Sequence, residues 1–259
     1  MPVPRILIVR APGTNCDVET AYAFERAGGR AERVHVNRLL EKPAAIDEYQ
    51  IVCLPGGFSY GDDIAAGRIM AGQIRHHLRD ALLRHREAGK LLLGICNGFQ
   101  ALMQTGLLLD DDQRGSMATL AGNASCKFED RWVNLAVTGN KCVFLQGVER
   151  LYLPVAHAEG RFVARDEGVL KQLDSAGQLV LRYASARSSN GNGVPYPENP
   201  NGSQADVAGL CDSSGRVLGL MPHPERHVEP TQHPRWTRGE AGATGDGALV
   251  FENAVRYFE

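Results

Sequence analysis

The chemistry in this chain starts at one thiol. Residues 91–100 read Leu-Leu-Leu-Gly-Ile-Cys-Asn-Gly-Phe-Gln, so Cys96 stands between Gly94 and Gly98 at the end of an apolar run. That is the G-x-nucleophile-x-G spacing of a strand–turn–helix elbow. The glycines remove side chains that a turn so sharp would crush. The turn holds the thiol outside the sheet at the start of a helix, where the helix N-terminus favours a thiolate. The amide of Asn97 is placed to face an oxyanion. The competing reading is a core cysteine between incidental glycines. It is the better one for Cys53, Cys126, Cys142 and Cys211, but not for Cys96.

A cysteine nucleophile needs a base, and the base needs a group to orient it. Residues 220–225, Leu-Met-Pro-His-Pro-Glu, offer both. In extended backbone His223 and Glu225 project to the same side, and Pro222 and Pro224 keep the stretch out of a helix. A carboxylate on one ring nitrogen leaves the other free to take the thiol proton. Alone, such a pair is better read as a surface turn. After an apolar strand, in a chain with a nucleophile elbow, it is a base and its orienter. His223 and His227 stand four apart, but Pro224 denies them the helix that would make them metal ligands, so no metal is expected.

These groups need a scaffold whose strands end at one edge. Residues 5–11, 33–36, 50–55 and 91–95 read as strands without polar alternation. Helical patterns begin near Val18, over residues 64–85 and over 97–108. Buried strands each followed by a helix imply a doubly wound, mostly parallel α/β sheet covered on both sides. From Met117 onward the strands are short and turn-rich (117–137, 151–163, 179–184, 206–211, 217–221), an antiparallel extension of the same domain. A helix over 247–258 closes the chain. We expect a single domain over residues 1–259. The stretches 185–204 and 230–245 are long enough to be functional loops. Residues 55–62, Pro-Gly-Gly-Phe-Ser-Tyr-Gly-Asp, follow the third strand at the edge where such sheets bind ligands. Backbone amides at Gly57 and Phe58 would complete an oxyanion hole with Asn97. No phosphate-binding glycine pattern occurs.

Composition excludes other classes. In 259 residues, 43% are hydrophobic and 22% charged, with a formal net charge of -2. There is no basic field for nucleic acid, and the Arg- and His-rich stretches 75–77 and 84–86 read as a solvated helix face. No apolar stretch is long enough for a membrane span or a signal-peptide core. Six scattered cysteines, without a C-x-x-C pair, fit a reducing, cytoplasmic setting. The Asn-x-Ser sequences at Asn123 and Asn201 are then not expected to carry glycans.

The elbow at Cys96 with Gln100 four residues on, and the downstream His223-Pro-Glu225, resembles the class I glutamine amidotransferases. Residues 11–17, 55–63, 154–160, 199–203 and 221–226 resemble the purine-biosynthetic branch of that family over nearly the whole chain. The resemblance implies a flavodoxin-like sheet and a Cys96–His223–Glu225 triad that hydrolyses glutamine through a thioester. It implies an oxyanion site from Gly57, Phe58 and Asn97, and a substrate-positioning role for Gln100. His157, Asn201 and Ser203 would border the glutamine or partner-facing side, and Cys16 would be structural. The ammonia would pass to a large synthetase subunit that uses ATP and Mg, often joined by a small third subunit, with no cofactor in this chain. The alternatives are a glutaminase serving another synthetase, or a docking subunit without catalysis.

Overall fold

The computed structural model describes residues 3–110, 112–185 and 193–259. Its strands are β1 (Arg5–Arg10), β2 (Arg30–His35), β3 (Ile51–Leu54), β4 (Leu91–Ile95), β5 (Ala118–Gly122), β6 (Glu129–Val137), β7 (Arg150–His157), β8 (Glu159–Ala164), β9 (Leu181–Ala184), β10 (Val207–Cys211) and β11 (Val217–Leu220). Its α-helices are α1 (Asp17–Arg26), α2 (Val36–Glu41), α3 (Arg68–Gln73), α4 (Arg79–Glu87), α5 (Asn97–Met103), α6 (Glu167–Ser175) and α7 (Ala248–Arg256).

Among the described residues nine strands form one sheet in the order β2-β1-β3-β4-β11-β10-β9-β6-β7. The first five pair in parallel and the rest antiparallel. Counting β11 as the fifth parallel strand gives 2-1-3-4-5, the flavodoxin-like order. β5 and β8 make a separate antiparallel pair. Every residue of β3, β4 and β11, and Ile6 to Val9 of β1, is buried, on both faces of the sheet. Only helices or loops on each side can do that, which is why these strands carry no polar alternation. α1 meets α7 edge-to-face through Phe24 and Phe251, ring centroids 4.9 Å apart.

Several expected boundaries move. The helix expected over 64–85 starts at Arg68, because Gly67 takes a left-handed φ of 71° just before it, and a π turn at Ile74–Leu78 joins α3 to α4. The helix after Cys96 stops at Met103 rather than Leu108. α2 and α6 were not foreseen. For α6 the signals were present: Asp166 caps it through Val169 N, 2.9 Å away, and Gly177 follows it. In the expected solvated face of residues 84–86, His85 is 1% exposed and hydrogen-bonds Leu91 O. Cys126, expected in the core, is exposed. Asn123 and Asn201 are buried and hydrogen-bonded. No helix among the described residues is long and apolar enough to cross a membrane. The part of the 185–204 loop at 186–192 lies outside the described residues.

Candidate active site

β4 ends in the expected elbow. Cys96 has φ 50° and ψ -106°, a conformation L-residues rarely adopt and one typical of strained functional turns. It is held from both sides: Cys96 N donates to Leu220 O at 2.8 Å, and Cys96 O accepts from Gln100 N at 3.0 Å. A Cβ on Gly98 would lie 1.8 Å from Leu54 O, and one on Gly94 2.6 Å from Leu102 Cδ1. The two glycines therefore let α5 press onto β3 and β4. The thiol, 4% exposed, reaches a cavity of about 170 Å³ lined by Gly57, Phe58, Asp62, Gln100, His157 and Glu159 among others. A larger cavity of about 470 Å³, lined by Lys127, Glu129, Tyr196 and Asn199 among others, has no thiol or imidazole among its described lining residues, so the smaller one is the candidate reactive centre.

His223 and Glu225 meet, though not through extended backbone. Pro224 opens a 3-10 turn, Pro224–Arg226, directly after His223. The turn still brings Glu225 Oε1 to 2.6 Å from His223 Nδ1. An ionised carboxylate only accepts, so Nδ1 carries the proton and Nε2 is left as the working nitrogen. Nε2 and Glu225 Oε2 are buried with no hydrogen-bond partner among the described residues. Burial opposes charging of the ring, but the Glu225 carboxylate and the Cys96 and Cys16 sulfurs outweigh it and hold the His223 pKa well above its ordinary value. His227 is engaged elsewhere, its Nδ1 2.8 Å from Tyr152 O.

The oxyanion donors divide. Phe58 lines the cavity, but its N–H donates to Gly13 O at 3.0 Å, so that expected donor is already in use. Among the described residues the Gly57 amide donates to nothing, and Asn97 opens α5, where a helix has unpaired N–H groups. Gly57 and Asn97 therefore remain the pair of free donors. The Asn97 side chain is locked: Oδ1 accepts from Ser59 N, while Nδ2 donates to Asp62 Oδ1 and Gln100 Oε1. Gln100 Nε2 donates in turn to Glu159 O. Gln100 thus lines the cavity and braces its wall with both ends of its amide.

His157 also lines the cavity, and burial first, then the nearby His223, pushes its pKa down to about 4. Asn201 and Ser203 do not line it. Asn201 ties its loop to Gly160 O and Tyr183 Oη, and Ser203 Oγ accepts from Phe162 N. Sequence reasoning passed over Asp62 and Glu159 as cavity residues. Asp62 is the last residue of the glycine-rich loop and Glu159 follows β7, so both stood inside segments already singled out. Burial raises the Asp62 pKa from its ordinary value.

Donor atoms of Cys16, His223 and Glu225 lie within 4.8 Å of one another, a spacing a thiophilic cation could bridge. The Arg226 guanidinium already puts a positive charge there, 3.2 Å from the Cys16 sulfur.

Comparison with known proteins gives one consistent result. Residues 3–258 match the CobB/CobQ-like glutamine amidotransferase domain. The chain is 49% identical over 254 residues (98% of this chain, 97% of the relative) to the phosphoribosylformylglycinamidine synthase subunit PurQ of Dehalococcoides mccartyi. It is 39% identical over 268 residues (99% and 98%) to the protein of the same name from Methanococcus maripaludis. A chain in the structure of PurLQS from Thermotoga maritima is similar over 100% of both chains, with 33% identity and a TM-score of 0.74.

Proposed function

Because the chain belongs to the CobB/CobQ-like glutamine amidotransferase family, we propose that it is the glutaminase subunit of phosphoribosylformylglycinamidine synthase. Its product ammonia passes to a synthetase subunit that converts formylglycinamide ribonucleotide to formylglycinamidine ribonucleotide in purine biosynthesis. The observation that carries the reading is the strained Cys96 on its elbow, beside a buried His223–Glu225 pair and at the wall of a small cavity. The family match supports reading residues 1–259 as a single domain working in the cytoplasm.

In this reading Cys96 passes its thiol proton to His223 Nε2, and Sγ attacks the side-chain amide carbon of glutamine. The oxyanion that forms faces the amides of Gly57 and Asn97. The C–N bond breaks as His223 Nε2–H gives its proton to the departing nitrogen, which leaves as ammonia. Water, deprotonated by His223, attacks the thioester. The C–S bond breaks, glutamate leaves and the Cys96 thiol is restored. Glu225 stabilises the imidazolium throughout, while Asn97 and Gln100 hold the cavity wall. The reading assigns ATP and Mg to the large synthetase partner, with a small third subunit in the assembly, and no cofactor to this chain.

The test is glutamate release by the purified chain, alone and with the synthetase subunits, ATP and formylglycinamide ribonucleotide. We expect release that rises with the partners and vanishes in Cys96→Ala, while free ammonia still supports the synthetase. Partner binding without glutamate release under any condition would replace this reading with a docking subunit.

A further inference from the structure

Cys16 has a place in the site that its reading as a structural residue does not explain. It precedes α1, is 1% exposed, and its carbonyl accepts from Thr20 N and Oγ1. That accounts for its backbone. Its sulfur faces the other way, toward the catalytic loop. Arg226 Nη2 donates to Sγ at 3.2 Å, and Sγ donates to Asn15 Oδ1 at 3.3 Å. A Cβ built on Gly56 would stand 3.1 Å from this sulfur and 2.7 Å from His223 Cε1. The sulfur and the imidazole edge therefore pack against the same bare glycine, and the Cys16 backbone is tied to it by Cys16 N to Gly56 O at 3.3 Å.

The need for such a contact follows from the ring's other restraint. The Glu225 carboxylate fixes one atom of the ring, Nδ1. A single hydrogen bond leaves the ring free to rock about that contact, and rocking swings Nε2 toward or away from Cys96. Among the described residues no hydrogen bond holds Nε2 itself. A large, weakly polar atom against the ring stops the motion. Arg226 holds that atom in place and is itself fixed by Glu19, Nε to Oε1 at 2.9 Å. The start of α1 thus clamps the 223–226 turn at two points.

We propose that Cys16 is a positioning residue for His223, its Arg226-bound sulfur acting with Glu225 to aim Nε2 at Cys96. The proposal rests on the glutaminase reading, in which His223 moves the protons. Against burial, which lowers the His223 pKa, the sulfur also contributes to holding it up, after the larger effects of Glu225 and Cys96.

The experiment compares the full-length protein with Cys16→Ala and Cys16→Ser, each assembled with its synthetase partners. Two quantities are read: glutaminase kinetics, and the rate of Cys96 alkylation by iodoacetamide, resolved by peptide mass. Loss of aim in Cys16→Ala should lower kcat roughly 10–100-fold with KM unchanged, and slow Cys96 alkylation at neutral pH. Cys16→Ser keeps a group that can pack on the ring and accept from Arg226, and should restore most of both rates. A folded Cys16→Ala with wild-type kcat and alkylation, or one that loses only thermal stability, overturns the proposal. If Cys16→Ala does not fold, Arg226→Met, which frees the sulfur, must slow alkylation in the same direction, and an unchanged rate again overturns it. Failure of the glutaminase reading would show separately, as wild-type protein that releases no glutamate. Alkylation would still report on Cys16 in that case.

Discussion

Glu225 is fully buried, with one carboxylate oxygen on His223 and the other without a hydrogen-bond partner among the described residues. That arrangement is sustainable only next to positive charge, because an isolated carboxylate away from water is costly. The imidazolium supplies it. Glu225→Gln keeps the shape and removes the charge, so kcat should fall roughly 10²–10⁴-fold, the range for losing the orienting acid of a triad. The direction of the pH effect also follows. The carboxylate raises the His223 pKa, so His223 stays protonated to higher pH in the wild type. Without the charge, the alkaline limb of the kcat profile should move to lower pH. An unmoved limb in Glu225→Gln would mean that His223 is not the acid in ammonia release. The Cys96 elbow and the His223–Glu225 contact were legible because each sits in a short segment with its own backbone logic: an elbow for Cys96, a proline-flanked turn for His223 and Glu225. The oxyanion site was legible only in part. The Phe58 amide is used by Gly13, 45 positions earlier, and no local pattern announces a bond between two such distant loops. The sulfur of Cys16 went unread for the same reason, since its neighbours are residues 56, 223 and 226.

The elbow is an agreement among three elements, and it tolerates no extra atom. A methyl group on Gly98 would occupy the Leu54 carbonyl, 1.8 Å away, and could be relieved only by lifting α5 off β3. Gly98→Ala should therefore cost more than about 3 kcal/mol, beyond ordinary overpacking, read as a lowered urea midpoint. Gly72 in α3 is the control. Nothing lies within 4 Å of its missing Cβ, and Gly72→Ala should stabilise the protein by about 0.5–1 kcal/mol through helix propensity. If both changes had the same effect, the elbow would not be the tight joint described. Elements of this kind read well from sequence: β4 runs over Leu91–Ile95 as expected, because an unbroken apolar run between Gly89 and the elbow has one comfortable conformation. Short amphipathic helices read poorly. α6 buries only Val169 and Leu173, too brief a stripe to stand out from the strands around it. Nor does local pattern reveal that β11, more than a hundred residues after β4, pairs with it in parallel. That pairing brings the His223 turn to the elbow, through Cys96 N on Leu220 O.

At the scale of the whole molecule, function and stability compete for the same buried histidines. His85 joins α4 to β4 through Leu91 O at 3.0 Å, and burial pushes its pKa down to about 4. His157, at the cavity wall, is also held at about 4. Both are neutral when folded, whereas the unfolded chain protonates them near 6.5. Between those values the unfolded state binds more protons, so stability is lost as pH falls from 6.5 to 4 and changes little from this source below that. His223 has the opposite sign. Its folded pKa is raised, so its contribution is complete below 6.5 and is lost only as pH rises through the folded value, which leaves the acid window to His85 and His157, joined by His227, whose pKa burial also lowers. Two protons at about 1.4 kcal/mol per pH unit each give a slope of roughly 2–3 kcal/mol per unit at its steepest. Urea midpoints measured every half unit from pH 6.5 to 4.5 should fall along that slope in the wild type. In His85→Gln, which replaces the titrating ring with an amide able to donate to Leu91 O, the slope should be shallower by up to about 1.4 kcal/mol per pH unit. An unchanged slope would place the acid sensitivity outside His85, with the histidines nearer the candidate site, His157 at the cavity wall and His227 after the His223 turn, setting the acid limit of the fold.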